Sequence, residues 1–239
     1  MTRRLFLLTL FFLLAAFSAV SFSQDGITQI STFHALAAGD YNGRISCQKL
    51  LEHGDFGLGT FEGLDGEMIV SEGKIYQVKA DGRVLQPTPS LQVPFAEVAF
   101  FKAQKSEPLK KEMGLKDLKE WINQTVPDQN TFCAVRVKGH FAQIKVRSVP
   151  AQQKPYPSLA EAVKHQTVFE LSDISGVLIG FRSPDTKGET IPGCHFHFLS
   201  DDQQHGGHVL DFTMSEGNVE FENFEPEGFS ILSFSTGKL

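Results

Sequence analysis

Residues 56–82 read FGLGTFEGLDGEMIVSEGKIYQVKADG, and this stretch decides the fold class. FGLGTFEGL meets EMIV across Asp65-Gly66, EMIV meets KIYQVKA across Glu72-Gly73, and the last run reverses at Asp81-Gly82. Asp-Gly suits tight hairpins because both turn positions tolerate positive φ. The segment is therefore a meander of short strands. Upstream, SCQKLLEHG forms a short helix stopped by Gly54. Downstream, PFAEVAFF is another strand, and LKDLKEWINQTV places Leu115, Leu118, Trp121 and Ile122 on one helical face. TFCAVRVK and FAQIKVRSV read as a hairpin joined around Gly139-His140, carrying Arg136, Lys138, Lys145 and Arg147.

Composition shifts at VPAQQKPYPSLAEAV, where prolines precede a helix whose Ser158 and Glu161 have capping-box spacing. This stretch reads as the crossing between two lobes. Beyond it lie TVFELS, ISGVLIGF, CHFHFLS, GGHVLDFTM, NVEFENF and FSILSF, all strand-like. The expectation is a β-dominated α+β fold of two closely packed lobes. Residues 24–150 form an N-terminal mixed sheet with helices, and residues 151–239 a C-terminal antiparallel sheet or barrel-like lobe.

Residues 1–23 stand apart. Arg3 and Arg4 precede an apolar run from Leu5 to Phe17, broken only by Thr9, and the small residues of SAVSFSQD follow. That is the layout of a secretory signal peptide, and the run is short of the about 20 residues a membrane span needs. The expected location is secreted or periplasmic. Removing the two arginines takes the formal net charge from −6 to −8, and no basic patch interleaved with aromatics occurs. Such a chain repels phosphate backbones, which excludes nucleic acid as a partner. Twenty-two Phe against one Trp and three Tyr point to sheets packed by Phe. Cys47, Cys133 and Cys194 form no disulfide framework; one bridge with a free thiol, or three buried thiols, both fit.

Chemistry concentrates in GCHFHFLSDDQQHGGHVLDF, residues 193–212. Alternation along a strand puts His195 and His197 on one face and Cys194, Phe196 and Phe198 on the other. His208 opens the next strand-like run, and the intervening SDDQQHGG is long enough to fold back as a hairpin loop. Antiparallel pairing would set His208 beside the first two imidazoles, with His205 in the loop as the competing third ligand. Three neutral nitrogen ligands with positions left open describe a catalytic zinc site.

GDFGLGTFEGLDGE, KVRSV, KPYPSLAEAVKHQ, GCHFHF and GGHV occur in an order that resembles the acetolactate decarboxylase family, from about Gln29 to about Val219. The resemblance implies a β-rich two-lobed fold, a catalytic zinc ion, often a homodimer, and conversion of 2-acetolactate to acetoin and carbon dioxide through a metal-stabilised enediolate protonated on one face. By motif it assigns His195, His197 and His208 to the metal, choosing His208 over His205. It assigns Glu67 and Arg147 to catalysis, and Thr60, Leu64 and Arg147 to substrate. One departure stands out: the resemblance leads to the expectation of a second glutamate from a C-terminal extension, whereas Glu225 and Glu227 here sit in no matching motif. Competing readings are a cupin-like metal-dependent oxygenase, which favours a more distant third histidine, and a secreted metal- or ligand-binding module without turnover.

Overall fold

The computed structural model describes residues 26–109, 111–126 and 128–232, so the export segment read at residues 1–23 lies outside the described residues. Along the chain run β1 (Ile27–Ile30), α1 (Phe33–Ala37), β2 (Ile45–Ser46), α2 (Cys47–Leu50), β3 (Phe56–Thr60), β4 (Glu67–Ser71), β5 (Lys74–Val78), β6 (Val84–Leu85), β7 (Gln92–Val93) and β8 (Phe95–Ala99). Then follow β9 (Lys105–Pro108), β10 (Met113–Gly114), α3 (Leu115–Thr125), β11 (Phe132–Ser148), α4 (Leu159–Ala162), β12 (Thr167–Ser183), β13 (Gly193–Ser200), β14 (Gly206–Phe224) and β15 (Phe229–Leu232). The fold is α+β and dominated by strands. No helix among the described residues is long and apolar enough to cross a membrane.

The strands of the meander pair in succession, β3 to β6, with Glu72 and Gly73 at φ of 51° and 73° in a two-residue turn. The strand expected over FGLGTFEGL ends at Thr60, however, and residues 61–66 replace the tight Asp65-Gly66 hairpin, because Gly63 and Leu64 at φ of 74° and 56° wind the chain into a short 3-10 turn. They belong to a seven-stranded sheet of order β15-β1-β8-β3-β4-β5-β6. A six-stranded sheet has the order β10-β14-β11-β12-β13, with β9 on β14; β13 also pairs with β14, which closes strands β11 to β14 on themselves. Sheet membership changes near residue 100, and β15 returns to the first sheet beside β1. The Pro-rich stretch joins β11 to β12, two paired strands of one sheet.

The structure corrects a second local expectation. The hairpin expected around Gly139-His140 is absent: β11 runs straight through, with Gly139 opposite Gly176 of β12 and Gly217 of β14. Likewise TVFELS and ISGVLIGF merge into β12, and GGHVLDFTM and NVEFENF into β14. The glycines are there for close approach. A Cβ on Gly139 would lie 2.3 Å from the Glu216 carbonyl oxygen and 2.8 Å from the Gly217 Cα. Gly139→Ala is thus expected to destabilise the fold by about 2 kcal/mol through overpacking, read as a lower urea midpoint at unchanged m-value.

Alternation distributes the core. Phe56, Leu58, Ile69 and Val78 of the first sheet meet Ala134, Ile179, Phe181 and Leu199 of the second, while Val135, Val137, Leu178, Phe196 and Phe198 fill the far side under Leu118 and Ile122 of α3. Phe141 meets Phe198 and Phe212 edge-on at 5.2 and 5.6 Å, a geometry that aromatic quadrupoles favour. The three cysteines are free thiols; Cys47 and Cys133 are buried and Cys194 partly so.

Candidate active site

The site lies between the two sheets. On β13, His195 and His197 share one face, while Phe196 and Phe198 bury on the other. The short 201–205 connection folds β14 back antiparallel, which puts His208 directly opposite His197. Across the other edge of β14, His208 faces Arg147 of β11. One row thus carries His197, His208 and Arg147, and directly paired residues point the same way. The first sheet supplies Glu67 from the start of β4, opposite Thr60 at the end of β3. His205 is exposed in the loop.

The three imidazoles converge, with one ring nitrogen from each lying within 4.8 Å of the others. His195 Nε2 and His208 Nδ1 are 3.0 Å apart. His197 Nδ1 lies 2.7 Å from the Met68 carbonyl oxygen. A carbonyl only accepts, so that bond assigns the proton to Nδ1 and leaves Nε2 as the basic nitrogen. His197 Nε2 and His195 Nδ1 are both buried without a hydrogen-bond partner. Orphaned buried nitrogens are rare, and two of them within one histidine cluster mark a place for a bound group.

Electrostatics agree. Burial, followed by the neighbouring His197 and Arg147 charges, holds His195 well below the usual imidazole range. His208 is depressed by burial and then by His195 and Arg147. His197 is lowered to about 3, chiefly by burial. All three are neutral at physiological pH, the form that binds metal. The 3.5 Å approach of His197 Nε2 to Glu67 Oε2 is therefore no ion pair. Arg147 Nη1 donates to Glu67 Oε1 at 3.2 Å. Burial raises the Glu67 pKa and Arg147 partly opposes the rise, so this carboxyl takes a proton more readily than an exposed glutamate.

These groups form the polar end of a cavity of about 250 Å³ that Thr60 and Leu64 also line. Its apolar end consists of Phe33, Leu36, Phe95, Val149, Leu159 and Ile191. Every residue that the family resemblance assigned, Thr60, Leu64, Glu67, Arg147, His195, His197 and His208, borders this one space, and His205 does not. The apolar wall was missed. It comes from α1, α4 and the loop before β13, with Phe95 of β8 and Val149 just past β11, and the local signal for its two helices was the caps at Thr32 and Ser158.

The alpha-acetolactate decarboxylase family model matches residues 27–229. The chain belongs to this family. A relative named alpha-acetolactate decarboxylase from Methanosarcina mazei is 43% identical over 201 residues, covering 84% of this chain and 70% of that protein. One from Bacillus licheniformis is 38% identical over 82% of this chain and 78% of its own length. The crystal structure of the Bacillus subtilis strain 168 alpha-acetolactate decarboxylase superposes with a TM-score of 0.84 at 31% identity, over 88% of this chain and 90% of that one. A Staphylococcus aureus protein described as similar to alpha-acetolactate decarboxylase gives 0.82 at 35% identity, over 86% and 88%. As a member of this decarboxylase family the chain is a carboxy-lyase, and its three histidines can hold a metal ion.

Proposed function

We propose that the chain decarboxylates 2-acetolactate to acetoin and carbon dioxide with a zinc ion held by His195, His197 and His208. The observation that carries this reading is the convergence of three neutral imidazoles, two with orphaned nitrogens, on a cavity shared with Glu67 and Arg147. Neutral nitrogen donors without a thiolate suit zinc, and a three-protein-ligand set leaves room for substrate. When bound, zinc supplies a Lewis acid that stabilises the negative charge left as carbon dioxide departs.

The chain's own residues do the rest. Arg147 offers a fixed cationic fork that orients the substrate carboxylate and favours charge building beside it. Glu67, biased toward its protonated form, is placed to deliver a proton to the carbon that has lost carboxylate. Delivery from one wall of the cavity makes the acetoin a single enantiomer. The apolar end excludes water and receives the substrate's methyl groups.

Acetoin formation from racemic 2-acetolactate, alongside elemental analysis, tests this. About one zinc per chain and turnover between pH 5 and 8 are expected. Iron with oxygen-dependent turnover would favour an oxygenase instead, and metal without turnover a binding module. Glu67→Gln is expected to keep its metal while losing roughly 10²–10⁴-fold in turnover, the usual weight of a general acid. Metal loss equal to that of His208→Ala would make Glu67 chiefly a ligand. The same reading places the enzyme outside the cytoplasm because of the N-terminal layout, and purely cytosolic activity would sink that part.

A further inference from the structure

Glu67 and Arg147 meet at 3.2 Å although they lie 80 positions apart, so something beyond the two side chains sets that distance. The turn before Glu67 contains three left-handed residues, Gly63, Leu64 and Gly66, at φ of 74°, 56° and 86°. A leucine rarely adopts that conformation and keeps it only where its surroundings over-determine it. Gly66 is pressed against β5, where a Cβ would fall 2.2 Å from the Val78 carbonyl oxygen. Its N–H donates across to the Val149 carbonyl at 3.1 Å. Val78, opposite Glu67 in the β4–β5 ladder, accepts from the buried Ser148 hydroxyl at 2.8 Å. Ser148 and Val149 are the two residues that follow Arg147.

Thr60 completes the clamp. It sits opposite Glu67 on β3, and its hydroxyl donates to the Gly66 carbonyl at 2.7 Å in a fully buried bond. A hydroxyl has one proton to give. Thr60 borders the cavity, yet its proton is directed into the turn, so a substrate oxygen would meet only its lone pairs or methyl group.

We propose that Thr60 and Ser148 are positioning residues: one buried hydroxyl holds the turn before Glu67, the other anchors the strand end after Arg147 to β5 beside Glu67, and together they fix the carboxyl against the guanidinium. Neither serves as a hydrogen-bond donor to substrate. The inference rests on the reading of Glu67 and Arg147 as the working pair of the decarboxylation.

The test compares Thr60→Val, Thr60→Ser and Ser148→Ala in the full metal-loaded chain. Misplacing a catalytic pair lowers kcat, so Thr60→Val is expected to lose roughly 10–100-fold in kcat with KM within about threefold of wild type. Thr60→Ser restores most of it because the hydroxyl returns. Ser148→Ala, outside the cavity lining, lowers kcat in the same manner. Hydrogen exchange in a peptide spanning residues 61–68 should accelerate about tenfold in Thr60→Val and Ser148→Ala but not in Thr60→Ser, with the urea midpoint little changed. A raised KM with unchanged kcat in Thr60→Val, or unaltered exchange in both variants, would overturn the proposal. If wild type forms no acetoin, the catalytic reading falls by itself, and the exchange comparison still decides whether the two hydroxyls hold the turn.

Discussion

His197→Ala is expected to lose its metal almost completely and to lower acetoin formation at least ~10³-fold, because the Lewis acid leaves with the ligand. His197 is the most enclosed of the three histidines at 1% exposure. It is also the one whose tautomer is fixed, by the Met68 carbonyl, which leaves the basic Nε2 buried without a hydrogen-bond partner, 3.5 Å from Glu67 Oε2. Truncation removes that nitrogen, leaves the Met68 carbonyl without its donor and opens a void between the sheets. The two structural losses together should lower stability by about 2–4 kcal/mol. Elemental analysis, an acetoin assay and urea unfolding on one preparation read all three effects. His205→Ala is the matched control: its side chain is exposed in the 201–205 loop, and none of the three quantities should move. Metal loss in the control equal to that in His197→Ala would assign the wrong histidines.

The second large effect concerns a carboxyl outside the cavity lining. Glu97 lies on β8, 1% exposed, on the face turned toward the second sheet. Its only hydrogen bond among the described residues is a long one, 3.5 Å from the Ser183 hydroxyl to Oε1, and Oε2 has none. Burial pushes its pKa from 4.5 to about 8, with no cation to counter it. The sign follows from linkage. From about pH 4.5 to about 8 the unfolded chain has released this proton while the folded chain still holds it, so stability falls as pH rises and levels off above 8. The gap between the two values corresponds to roughly 5 kcal/mol as an upper bound. Glu97→Gln keeps the shape and removes the charge. It should match wild type near pH 4 and be more stable by about 2–4 kcal/mol at pH 8, measured by urea unfolding at both. An equal difference at the two pH values would mean that Glu97 is not a buried acid of this kind.

Much of the histidine cluster was legible because its determinants are local. An HxH pair on a strand shares a face whatever the strand pairs with, and a short connection returns the chain antiparallel, so His208 had to land near His197. The succession of strands in the meander was equally legible, since Glu72-Gly73 and Asp81-Gly82 have a backbone preference that precedes any packing; the six-residue connection around Asp65-Gly66 was not. Gly139-His140 shows the limit of that logic. A glycine marks either a reversal or a close approach of chains, and the residue itself does not distinguish them. Gly176 and Gly217, the partners that resolve the choice, lie 37 and 78 positions away.

The sequence by itself determined the strand-rich class and the shared face of His195 and His197, because both follow from residue spacing along a few tens of positions, while the family was legible only as a resemblance of motifs spread over nearly the whole chain. The tertiary structure decided the rest. It ran β11 through Gly139, brought Glu67 to 3.2 Å from Arg147, raised the apolar wall from α1, α4 and the loop before β13, and turned the Thr60 proton away from the cavity. The Glu67–Arg147 approach and the apolar wall depend on how the two sheets and their flanking helices pack, as do the shifted acidities of Glu67, Glu97 and the histidines, while the course of β11 and the Thr60 bond depend on pairing within one sheet. Register and burial are set by which distant faces meet, and no window along the chain contains both faces.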